Sequence, residues 1–183
     1  MKIKPTIHAG IFVAALLSGS ASFAAPMTGD DYRAAKNRVA MEYKDSKAAC
    51  DGMTANAKDV CREEAEGNEK VARAELEYNR SGKPKDATKV ATAKADAAYA
   101  VAKEKCDDRT GNDKDVCVKE AKTAHTAAVV DAKADKKVGE VRRDAAEDKR
   151  DAQYNLAKEK CDALSGDNKT ACLATAKSRY GKS

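Results

Sequence analysis

The sequence predicts an all-α fold built of elongated, disulfide-stapled αα-hairpin repeats with a long helix over about 113–163, and three observations carry that prediction. The first is composition. Charged residues make up 36% of the 183, alanine replaces the large apolar residues, and most of what remains favours helix. The second is a threefold repeat, in which CDGMTANAKDVC (Cys50 to Cys61), CDDRTGNDKDVC (Cys106 to Cys117) and CDALSGDNKTAC (Cys161 to Cys172) follow one another at offsets of 56 and 55 residues. The third is punctuation: from Asp113 to Ala163 there is no proline and one glycine, Gly139.

The elements follow in order. Residues 1–24 read as a signal peptide, with a basic start at Lys2 and Lys4, an apolar stretch from Ile11 to Leu17, and Ser22-Phe23-Ala24 supplying small residues at −3 and −1 of a cleavage site. That stretch is too short for a membrane span. With the first cysteine at Cys50, no lipid-bearing cysteine follows the cut, and no membrane span is expected after its removal. Residues 25–183 then form one helical repeat domain, with hairpins expected over about 28–81, 86–138 and 139–181.

Asp30 or Asp31 opens the first helix, which runs to about Met53. A second helix runs from about Ala57 to Tyr78 or Asn79 and stops at Ser81-Gly82-Lys83-Pro84-Lys85, the one strong break. A third runs from near Asp86 to near Asp108. In the tips, Gly111 and Gly166 suit a left-handed residue, and Asn56, Asn112 and Asp167 suit helix N-caps. The long helix carries Ala134, Val138, Val141, Ala145, Ala152 and Leu156 at coiled-coil spacing, an apolar seam interrupted by Asp148. The alternative is a kink at Gly139, which would let three hairpins fold side by side at about half the length. A last helix, about Asn168 to Tyr180, completes the third hairpin.

Six cysteines in an exported chain imply disulfides, and the repeat favours the local pairing Cys50–Cys61, Cys106–Cys117 and Cys161–Cys172. Each closes a loop of about a dozen residues, for roughly 3 kcal/mol of chain-entropy stabilisation. A redox or metal-binding pair is the functional alternative. It fits poorly, because such sites bring their ligands in closer spacing. A tyrosine stands seven residues before each first cysteine, at Tyr43, Tyr99 and Tyr154. Two helical turns put it on the cysteine's face, where it reads as packing over the opposite arm; a stacking platform for bases or sugars would use the same residue.

The same composition argues against most chemistry. Without residues 1–24 the chain has no Trp, Phe or Ile, and Leu and Val number only 15, well short of the ~20% that accompanies a packed core. Carboxylates without a core to bury them acquire no raised pKa for acid catalysis, and no nucleophile triad, phosphate loop or His-rich metal motif is present. No enzymatic activity, cofactor or metal is expected. The acidic tip at Asp107, Asp108, Asp113 and Asp115 lacks calcium-loop spacing and reads as helix capping. His125 reads as a solvated helix residue. Removing Lys2 and Lys4 leaves 33 basic against 30 acidic residues, a net +3 with signs interspersed. That balance argues against nucleic acid and leaves only weak binding to an anionic envelope polymer.

Two segments resemble a known group: Ala157-Lys158-Glu159-Lys160-Cys161-Asp162-Ala163-Leu164-Ser165-Gly166 and Lys114-Asp115-Val116-Cys117-Val118-Lys119-Glu120-Ala121-Lys122. They are similar to small exported proteobacterial C-x10-C repeat proteins often labelled TolA-like cell-envelope proteins. The resemblance implies a periplasmic address and no enzymatic activity, and it supplies no functional residues. The expectation is therefore a periplasmic or secreted, non-enzymatic helical interaction or spacer protein, whose partner is an envelope protein or polymer. Helix packing leaves self-association open. A holdase chaperone or envelope-stress protein that clasps unfolded clients between hairpin arms is the main alternative.

Overall fold

The computed structural model describes residues 27–182; the expected signal peptide lies outside the described residues. Five helices follow in order: α1 (Gly29–Ala49), α2 (Ala55–Ser81), α3 (Pro84–Lys105), α4 (Gly111–Asp162) and α5 (Gly166–Tyr180). One turn of 3-10 helix, Cys50–Gly52 or Cys106–Asp108, closes α1 and α3.

The long helix is continuous. α4 runs through Gly139 for 52 residues, about 78 Å at 1.5 Å per residue. A single glycine costs a helix only ~1 kcal/mol, and this one lacks the neighbours that stop α2. At that stop, Gly82 takes the left-handed conformation (φ 60°) and Pro84 occupies the first turn of α3, where its missing N–H costs nothing.

α1, α2, α3 and the first half of α4 lie side by side in a row, each packed chiefly on its neighbour in sequence, and α5 folds back on the far end of α4. The expected boundary between the first and second hairpins is crossed by the most extensive helix contact of the molecule, α2 against α3. That contact works through smallness. Gly67 of α2 sits so close to α3 that a Cβ placed on it would stand 2.7 Å from Ala97 Cβ, while the buried Ala65 and Leu76 of α2 and Ala95 of α3 lie about half a turn away, on the faces those helices turn to α1 and α4.

A row of helices has no central core, and among the described residues the side chains less than 2% exposed are Cys50, Cys106 and Cys161. Local ties supplement packing. Asp86, 5% exposed at the Gly82 turn, accepts 2.6 Å from the Ser81 hydroxyl and pairs with Lys89 at 2.9 Å, while Ser81 Oγ accepts from the Lys83 N–H. The Lys89 ammonium, followed by the Ser81 hydroxyl, holds the Asp86 carboxyl below the usual carboxylate range.

Several helix starts differ from expectation. α1 opens at Gly29, just ahead of the expected Asp30 or Asp31, and Thr28 caps it, its Oγ1 accepting 3.1 Å from the Asp31 N–H. At the tips the extended Thr54, Thr110 and Ser165 precede α2, α4 and α5 in place of Asn56, Asn112 and Asp167. Residue 55, 111 or 166 then enters the helix with positive φ. Two of the three are the expected glycines, and the third is Ala55 at φ 50°.

Candidate functional site

The three cysteine pairs form as disulfides: Cys50–Cys61, Cys106–Cys117 and Cys161–Cys172, with Cα–Cα distances of 5.7, 5.7 and 5.6 Å. No cysteine is free among the described residues. Each bond joins the end of one helix to the first turns of the next, so α1–α2, α3–α4 and α4–α5 are stapled within about one turn of their tips. Three intramolecular disulfides imply that the chain folds in an oxidising compartment.

A second repeated device accompanies them. The aspartate after each first cysteine pairs across the tip with the lysine seven residues on: Asp51 with Lys58 (3.5 Å), Asp107 with Lys114 (2.9 Å) and Asp162 with Lys169 (2.9 Å). Arg62 adds a contact to Asp51 at 3.3 Å. Arg62 and Lys58 lower the Asp51 pKa, Lys169 lowers that of Asp162, and Asp107 raises that of Lys114. The spacing C-D-x6-K stands in all three copies and could have been read from the sequence. Acids matched to lysines in this way are tied into the hairpin, and among the described residues no three metal-ligating side chains gather.

The first and second tips are neighbours, because α2 descends from one and α3 climbs back to the other. Asn56 Nδ2 donates 2.9 Å to the Glu104 carbonyl, and Lys105 pairs with Glu64 at 3.2 Å. The third tip stands alone at the far end of α4. The molecule therefore presents two tips at one end and one at the other.

The repeated tyrosines are half-buried. Tyr99 of α3 lies 5.2 Å from the His125 ring of α4, and Tyr154 of α4 meets Tyr180 of α5 edge to face at 6.4 Å. Tyr43 has Lys47 of its own helix over its ring at 5.7 Å, while the ring facing the neighbouring helix on that side is Tyr32, with Arg80 at 4.5 Å and its hydroxyl donating to Glu77. His125 is half-buried instead of fully solvated: its ring lies against Tyr99 and its Nε2 is 2.5 Å from an Asp96 oxygen.

The apolar seam on α4 faces solvent and not the neighbouring helices. Ala132, Tyr154 and Cys161 mark the side covered by α3 and α5, whereas Ala134, Val138, Val141, Ala145, Ala152 and Leu156 all face solvent. Between the Gly82 turn and the part of α4 that α5 covers, 141–150 is ten consecutive exposed residues. The concavities are open surface grooves; one runs between the Gly82 turn and α4, lined by Tyr78, Pro84, Ala91, Ala132, Asp135 and Arg143. No helix of the described residues is long and apolar enough to cross a membrane. No protein-family model, curated protein or solved structure matches the chain.

Proposed function

We propose that this chain is a non-enzymatic spacer and interaction protein of the cell envelope, exported to the periplasm, which holds two disulfide-hardened ends at a fixed separation. The observation that carries the reading is α4: one unbroken helix of about 78 Å joins a paired tip to a single tip, and the middle of it is unsupported. The exposed stretch 141–150 packs on no other helix of the described residues, and the length it adds is what a spacer needs. Stapled tips resist fraying in an oxidising compartment, and the mixed charge of the flanks suits polar envelope partners.

Removing 142–148 tests it. Seven residues are close to two turns, so the deletion shortens α4 by about 10 Å while nearly preserving the facing of α5. Photo-crosslinkers placed at Asp108 and Leu164 of the exported chain should capture different envelope components at the two ends in intact cells. The shortened chain should lose capture at one end. Identical crosslinks at both ends, unchanged by the deletion, would overturn the spacer reading. The exposed Met41 and Val141 give some support to a holdase instead, and suppression of aggregation of a denatured client by the purified chain would favour it.

A further inference from the structure

The solvent face of α4 has the pattern of half a coiled coil. Val138 is 47% and Val141 65% exposed, and with Ala134 and Ala145 they step by four, three and four along one line. In heptad terms Val138 and Ala145 are a positions and Ala134 and Val141 are d positions. The line is flanked on one side by Asp135 and Arg142 (e) and on the other by Lys137 and Asp144 (g). All four are exposed, and none makes an ion pair among the described residues. Because α3 and α5 lie on the opposite side of α4, the face is open along its whole length.

We propose that this face binds the same face of a second copy of the chain, antiparallel, about a two-fold axis between Gly139 and Glu140. The charges select this arrangement. With Val138 against Val141 of the second copy and Ala134 against Ala145, antiparallel geometry brings g to g and e to e. Lys137 then meets Asp144 of the second copy and Asp135 meets its Arg142, each twice by symmetry. Four complementary pairs surround four apolar layers. A parallel pairing in register sets Lys137 beside Arg142 and Asp148 beside Asp148, which offsets its Asp144–Lys149 contacts.

The antiparallel register also limits itself. Asp131 of one copy faces Asp148 of the other at each end of the apolar layers, so like charges bound the patch before Ala127 meets Ala152. Contact over 127–152 spans about 39 Å, and a strip about 10 Å wide buries on the order of 800 Å² in total. That lies below a standard interface, and the complex is a weak one, with dissociation in the micromolar range or above. In the dimer Cys161 of one copy is level with Cys117 of the other, so each end of the particle carries all three tips.

Sedimentation equilibrium of the oxidised chain over micromolar to millimolar concentration tests the proposal, with circular dichroism confirming that each variant keeps its helix. A reversible monomer–dimer equilibrium weakened by salt is expected. D144K places lysine against Lys137 twice and should weaken dimerisation at least tenfold. The double swap K137D/D144K restores opposite charges and should recover it, which a merely structural role for either residue would not produce. D148N removes the flanking repulsion and should tighten the dimer several-fold. A chain monomeric throughout the range, or a dimer indifferent to D144K, would overturn the proposal.

Discussion

The same substitution, glycine to alanine, should have opposite effects at two positions. Both Gly67 and Gly139 lie inside helices, so alanine gains about 1 kcal/mol of helix propensity at each. At Gly139 nothing lies within 4 Å of the new Cβ, and the gain is kept. At Gly67 the new Cβ falls 2.7 Å from Ala97 Cβ and 3.3 Å from its Cα, in the most extensive helix contact of the molecule. The second contact is to backbone, so no side-chain rotation relieves it, and α2 and α3 must separate. Overpacking of this kind costs about 1–3 kcal/mol. The propensity gain is common to the two variants and cancels in their difference, so G67A should be less stable than G139A by that overpacking cost. Urea denaturation of the oxidised chain, followed by far-ultraviolet circular dichroism, measures it. In a protein of this size the gap corresponds to roughly 2–4 °C in Tm per kcal/mol. If G67A equals or exceeds G139A in stability, α2 and α3 do not approach as described.

Three further outcomes are expected. A55G should raise stability by about 1 kcal/mol, because Ala55 holds a left-handed conformation that glycine occupies at both equivalent tips; an unchanged urea midpoint would contradict this. Stability should fall on acidification, since the carboxyls of Asp51, Asp86 and Asp162 are held below their ordinary values by Arg62, Lys89 and Lys169. Their contribution is complete above the unfolded carboxylate pKa and is lost as pH drops through the depressed folded values. D86N should flatten that dependence in melts at stepped pH, and an equally steep profile would assign it elsewhere. Reduction should lower Tm sharply while much helical dichroism persists below the transition, each staple contributing roughly 3 kcal/mol; an unchanged melting curve would show that the staples add nothing.

The hairpins were legible because their signals are local. Two cysteines and a turn fix a tip within a dozen residues, and the absence of proline between Asp113 and Ala163 is enough to predict α4. The inward face of α4 was not legible. In an alanine-rich helix several stripes are nearly equal in hydropathy, and the one with the larger residues, through Val138 and Val141, turned outward. Contact between α2 and α3 is decided by how closely backbones approach, which favours Gly67 and Ala97 over bulkier side chains. No periodicity rule ranks a glycine as a contact residue, so the α2–α3 interface was missed, and Asp86 with it. The ion pairs at the tips could have been found, since Asp51, Asp107 and Asp162 recur at the same offsets as the cysteines beside them.

The bare stretch 141–150 also defines how the molecule bears load. Tension applied between the two ends passes through this one helix, and its hydrogen bonds lie along the pulling direction, so they open one after another instead of sharing the force. To either side, neighbouring helices and covalent cross-links brace the chain. Ten residues lengthen from about 15 Å as helix to at most about 36 Å when extended, so yielding there adds roughly 20 Å without disturbing the contacts at either end. The same feature that sets the separation makes that stretch an extensible fuse, and the helix re-forms when the pull is released.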